Sequence, residues 1–128
     1  MDAYLSREAY LSFEALSLIG PHRNPDGLLI GHKRGHRYFV ERVFPALKNF
    51  SSFPQNYFDL DYLFRGKLIG FFSFKPEQQR IKKVLAPFAY GKLFLKIHHQ
   101  KKKMSINSFI IDYEEEFFLS PIRLKTEK

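Results

Sequence analysis

The sequence predicts an α/β fold, a mixed, mostly antiparallel β-sheet flanked by helices. Three observations carry that expectation. The N-terminal stretch spaces its apolar residues as a helix does; several later stretches are rich in β-branched and aromatic residues and are bounded by Gly or Pro; and a second run of helical composition falls between two of those stretches. With 128 residues the chain suits one domain, 1–128, with 1–5 and 125–128 expected as frayed ends.

Taken in order, Ser6 to Ile19 reads as a helix, with Ser6 as its cap and Ala9, Leu11, Ala15, Leu16, Leu18 and Ile19 leaning to one side. Gly20-Pro21 stops it, and His22 to Gly27 reads as a turn-rich link. Leu28 to Gly31 and Arg37 to Phe44 form a hairpin around His32–His36, where Gly35 can take a positive φ. Phe58 to Phe64 reads as a short helix, Lys67 to Phe74 as a strong strand and Glu77 to Leu85 as helical. Lys92 to His98 alternates as a strand does, and a basic turn follows over His99 to Lys103. Ser105 to Tyr113 and Phe117 to Leu124 close the sheet around the acidic turn Glu114–Glu116, with Pro121 suited to an edge position.

Composition bounds the function. The 15 Phe and 7 Tyr, with no Trp, point to a core filled by rings. The absence of Cys excludes a disulfide framework and a thiolate zinc site. No apolar run approaches the ~20 residues of a membrane-spanning helix, and the N-terminus lacks the pattern of a secretory leader. A soluble, cytoplasmic protein without a membrane partner is expected. Against 13 Asp and Glu stand 21 Lys and Arg, a net charge of +8. That excess suits nucleic acid, an acidic protein or an anionic surface, and serves solubility equally well.

Several segments together resemble a known family. Asn24-Pro25-Asp26-Gly27-Leu28-Leu29-Ile30-Gly31 is similar to the Glu-x-x-Gly-Leu-Leu-x-Gly segment of JAMM/MPN (JAB) domains. Val43-Phe44-Pro45-Ala46-Leu47-Lys48-Asn49 resembles the exit of that family's hairpin, and Gly70-Phe71-Phe72-Ser73-Phe74-Lys75-Pro76 its Gly-x-x-His-Ser-His-Pro run. The likeness spans Tyr4 to Leu124 and implies the family's cytidine-deaminase-like layout. Active members hold zinc with two His and an Asp, beside a general-base Glu. Aligned on Gly27, Gly70 and Pro76, this chain has Asn24 at the Glu position and Ser73 and Lys75 at the His positions. No Asp follows Lys75 before Asp112. An amide is no general base, and an ammonium repels a dication. The resemblance therefore implies a catalytically inactive, metallopeptidase-like scaffold with no catalytic residue, no metal and no cofactor. Such a pseudoenzyme would bind another protein, ubiquitin-like or MPN-type.

Two rival functions follow from the residues. The first is a zinc-dependent isopeptidase or peptidase with displaced ligands. The His pairs His32/His36 and His98/His99 are candidates, though neighbours on a strand face opposite ways and both pairs read first as solvated polar tips. The remaining His22, and the carboxylates Asp59, Asp61 and Glu114–Glu116, read as solvated turns and caps. The second rival is a basic nucleic-acid-binding protein, with a surface of Lys33, Arg34, Arg37, Lys82, Lys83, Lys101, Lys102 and Lys103. Tyr38 and Phe39 border its first cluster, and rings beside cations can stack on bases while the cations hold phosphates. Oligomeric state is not legible in the sequence.

Overall fold

The computed structural model describes residues 1–18, 26–45, 62–63, 65–74, 84–100 and 103–126. The elements in chain order are β1 (Asp2–Leu5), α1 (Arg7–Ser17), β2 (Asp26–Arg34), β3 (Arg37–Pro45), β4 (Leu68–Ser73), β5 (Leu93–Gln100), β6 (Lys103–Glu114) and β7 (Glu116–Thr126), with a 3-10 turn at Pro87–Ala89. The strands close into a barrel in the order β1-β3-β2-β4-β5-β6-β7, with β7 returning to β1.

This corrects the expected fold class. Among the described residues the protein is mostly β with one α-helix, not an open α/β sheet flanked by helices. The physical reason lies in Asp2–Leu5, to which no sequence signal assigns an element. That short segment pairs in parallel with β3 on one side and β7 on the other. Without it the sheet would have two open edges; with it both edges are paired. Two irregularities assist the curvature. Opposite β2, Glu41 is the extra residue of β3 and Ile69 that of β4, and such bulges bend a strand and raise its twist.

The local readings of the chain mostly hold in kind. Ser6 caps α1: its Oγ accepts from the Ala9 amide at 3.1 Å and donates to the Glu41 carbonyl at 2.8 Å, tying the helix start to β3. The buried helical stripe is Ala9, Phe13 and partly Leu16, while Leu11 and Leu18 are exposed. The expected apolar side was thus displaced, because Phe13 drives the docking. Its ring meets Phe72 at 5.0 Å and Phe74 at 6.2 Å, both edge-on. Gly35 takes φ 57° in the β2–β3 turn, and Glu115 takes φ 66° in the β6–β7 turn. The β5–β6 hairpin is longer than expected, with Gln100 opposite Lys103. The readings of 58–61 and 77–83 lie outside the described residues; Tyr62 and Leu63 are helical.

Two apolar clusters form. The interior of the barrel holds Ala3, Leu5, Leu29, Val40, Phe72, Leu93, Leu95, Ile97 and Ile110, closed over by Ala9 and Phe13. A second cluster lies on the other face of β2, β4 and β5, where Leu28, Phe71 and Phe94 pack under Val84 and Ala89. Every residue of β4 is therefore buried, which matches its unbroken apolar sequence. Among the described residues the phenylalanines are buried or half-buried, with Phe44 the exception. The buried rings Phe13, Phe71, Phe72, Phe74 and Phe94 fill the two clusters.

Candidate functional site

Beyond the second apolar cluster, on the same outer face of the barrel, β2, β3, β1 and β7 present a side-chain surface to solvent. Its centre is one register row. His32 of β2 stands opposite Phe39 of β3, Phe39 opposite Tyr4 of β1, and Tyr4 opposite Lys125 of β7. Side chains directly across adjacent strands share a face, and here they touch. The His32 and Phe39 rings stack with centroids 4.9 Å apart and 16° between planes, and Tyr4 and Phe39 at 5.1 Å and 12°. Lys125 Nζ lies 5.6 Å from the centre of the Tyr4 ring. The row is a continuous stack of three rings ended by a cation.

Other groups hold the row in place. His32 Nδ1 and Glu41 Oε1 share a hydrogen bond of 2.6 Å, both side chains being about half exposed. The row borders a cleft of about 460 Å³ whose wall includes Tyr4, Ser6, His32, Phe39, Glu41 and Lys125. One step along each strand pair lies a second row on the same face, two residues away in every strand. It reads Arg34, Arg37, Asp2 and Arg123, in the registers Arg34 with Arg37, Arg37 with Asp2 and Asp2 with Arg123. The three arginines are exposed. Adjacent strands are about 4.8 Å apart, so each row crosses about 14 Å of barrel surface.

The structure distributes the sequence-predicted residues unevenly. Arg34 and Arg37 join the face just described, and Lys33 points to its other side, with Nζ 5.0 Å from the Tyr38 ring centre. Lys103 is exposed at the start of β6, in the β5–β6 hairpin. Lys82, Lys83, Lys101 and Lys102 lie outside the described residues, as do Asn24 and Lys75. Ser73 is fully buried and donates from Oγ to Asp26 Oδ1 at 2.7 Å across the register pair Asp26–Ser73. Its role there is to satisfy a buried carboxylate at the barrel end. Ser73→Ala should lower unfolding free energy by about 1–3 kcal/mol, the usual loss when a buried hydrogen-bond partner is removed; urea unfolding of the two proteins side by side measures it. Among the described residues no group of three or more His, Asp or Glu could hold a metal, and no helix is long and apolar enough to cross a membrane.

Sequence reasoning missed Tyr4, Lys125 and Arg123. The signal existed only as alternation, since Asp2/Tyr4 and Arg123/Lys125 are each two apart. Nothing local says that these two chain ends become neighbours. His32 was read as a solvated tip; it is instead stacked on Phe39 and paired with Glu41.

No family model matches the chain, and no curated protein does. Among solved structures, the chain is similar to the solution structure of protein DSY2949 from Desulfitobacterium hafniense. The two share 22% identity with a TM-score of 0.69, over 98% of this chain and 94% of that one. The likeness shows the fold alone.

That fold is a small seven-strand, barrel-like one, with one α-helix among the described residues. The JAMM/MPN resemblance is therefore overturned, and with it the JAB-domain, metallopeptidase-like and pseudoenzyme assignments. Its anchors have another explanation. A Cβ on Gly27 would lie 2.4 Å from the Phe72 ring, and one on Gly70 would lie 2.2 Å from the Leu93 carbonyl oxygen. These glycines are where barrel strands crowd, so the glycine of each anchor arises from packing as readily as from descent.

Proposed function

We propose that the protein binds single-stranded nucleic acid on the β2–β3–β1–β7 face. The observation that carries this reading is the pairing of two registered rows, one aromatic and one basic, on a sheet surface open to solvent. Single strands are gripped by rings that stack on bases and by cations that track the phosphates. The rings here stand side by side, so a base adds to the stack at its His32 end or lies over the ring edges. Arg34, Arg37, Arg123 and Lys125 supply the cations, and the net charge of +8 supplies the long-range attraction. A cytoplasmic location belongs to the same reading.

A protein-docking role, the other expectation from sequence, would draw on exposed apolar surface. Among the described residues Phe13, Phe71, Phe72, Phe74 and Phe94 are buried and Phe88, Phe109 and Phe117 pack against them, so these rings are not offered for docking, which favours the nucleic-acid reading.

The test is fluorescence anisotropy with a labelled oligonucleotide of about 12 nucleotides, read at several salt concentrations. Binding that weakens steeply with salt is expected. Phe39→Ala removes the middle ring and should lower affinity about 10-fold or more, within the ~1–3 kcal/mol that base stacking contributes. A Phe39→Ala protein that melts as the parent does and binds equally well would rule the aromatic row out.

A further inference from the structure

Beside the aromatic row, at the end of the barrel, lies a second cleft of about 410 Å³. Its wall carries Lys33, Lys67 and Lys92, and none of its described lining residues is acidic. These three cations come from different places. Lys33 is on the part of β2 that runs past its pairing with β4, Lys67 precedes β4, and Lys92 precedes β5. The fold brings them to one opening although they are far apart in sequence. Lys33 Nζ sits 5.0 Å from the Tyr38 ring centre, Tyr38 donates to the Gly91 carbonyl at 2.6 Å, and Lys92 Nζ donates to the Leu68 carbonyl at 2.8 Å. Tyr38 and Lys92 thus brace the wall through backbone contacts.

His32 lines both clefts. It is therefore the joint between a stacking surface and a cluster of ammonium groups. Resting on the nucleic-acid reading above, we propose that this cleft takes the terminal phosphate monoester of a bound strand, with the terminal base stacked against His32. The chemistry separates a terminal group from an internal one. A monoester carries ~1.5 to 2 negative charges near neutral pH, whereas each internal phosphate carries one. Lysines recognise phosphate as point charges, so a threefold lysine cluster rewards the extra charge. The exposed arginine row has no such enclosure and treats all phosphates alike.

Three versions of one labelled oligonucleotide test the idea: unphosphorylated, 5′-phosphorylated and 3′-phosphorylated. One phosphorylated version should bind at least 10-fold tighter than the unphosphorylated one. In Lys67→Ala, an exposed position, that ratio should fall below about 2, whereas in Arg37→Ala it should persist while both affinities drop. Equal affinity for all three versions overturns the terminal-phosphate site and leaves the face reading standing. Failure of all three to bind overturns the face reading and this site with it. Loss of the ratio in Arg37→Ala but not in Lys67→Ala would place the monoester on the arginine row, and so also overturns the proposal.

Discussion

Gly70→Ala should destabilise the protein by about 4 kcal/mol or more, enough to leave much of the chain unfolded at modest denaturant. Gly70 lies in the middle of β4, opposite Leu29 of β2 and Leu93 of β5. A methyl there would stand 2.2 Å from the Leu93 carbonyl oxygen and 2.8 Å from its carbon. The obstacle is backbone, so no side-chain rotation relieves it. The only relief is separation of β4 from β5, which opens a parallel pair inside a closed barrel and strains each remaining junction. Because β4 is buried on both faces, both apolar clusters shift with it. Gly35→Ala supplies the contrast. Its site has φ 57° and nothing within 4 Å of a new Cβ, so only the left-handed backbone is penalised, by about 1–2 kcal/mol. Urea unfolding of the two variants should differ by several-fold in free-energy loss; similar losses would mean that the barrel yields where it looks tightest.

The double reversal Arg34→Glu with Arg37→Glu should weaken oligonucleotide binding about 100-fold at low salt and reduce the log–log salt slope by about 1.4, two single-strand phosphate contacts at ~0.7 each. Both residues are exposed and stand opposite each other across the β2–β3 hairpin. Like charges directly across a strand pair are unfavourable, whereas an opposite-charge pair there contributes about 0.2–1 kcal/mol. Arg34→Glu alone converts the pair to an attractive one, so it should raise stability slightly while lowering affinity. Opposite signs on the two readouts are what a surface kept for binding produces. Thermal melting and anisotropy on one preparation measure both. A single reversal that leaves affinity and salt slope unchanged would mean the strand does not run over this row.

Much of the secondary structure is legible locally. Ser6 as a cap, Gly35 at a hairpin tip, and the apolar run at 68–73 are each dictated by neighbours within a few residues. The basic hairpin with Phe39 beside it is legible for the same reason. The misreadings have a common origin. Gly27 and Gly70 were read as marks of a family because their spacing fits one; they are glycines because a strand neighbour crowds each of them. Phe13 was left out of the helix stripe because its partners Phe72 and Phe74 are about sixty residues away.

By itself, then, the sequence determined a ring-filled core, the helix start, the hairpins and a strongly cationic surface, since these depend on residue type and short-range spacing. Only the tertiary structure decided that the sheet closes, because closure rests on a four-residue strand too short to announce itself. Closure is also what sets Tyr4 against Phe39 and Lys125. The candidate site is therefore a product of the barrel: its rows run across strands, and a linear chain records only what lies along them.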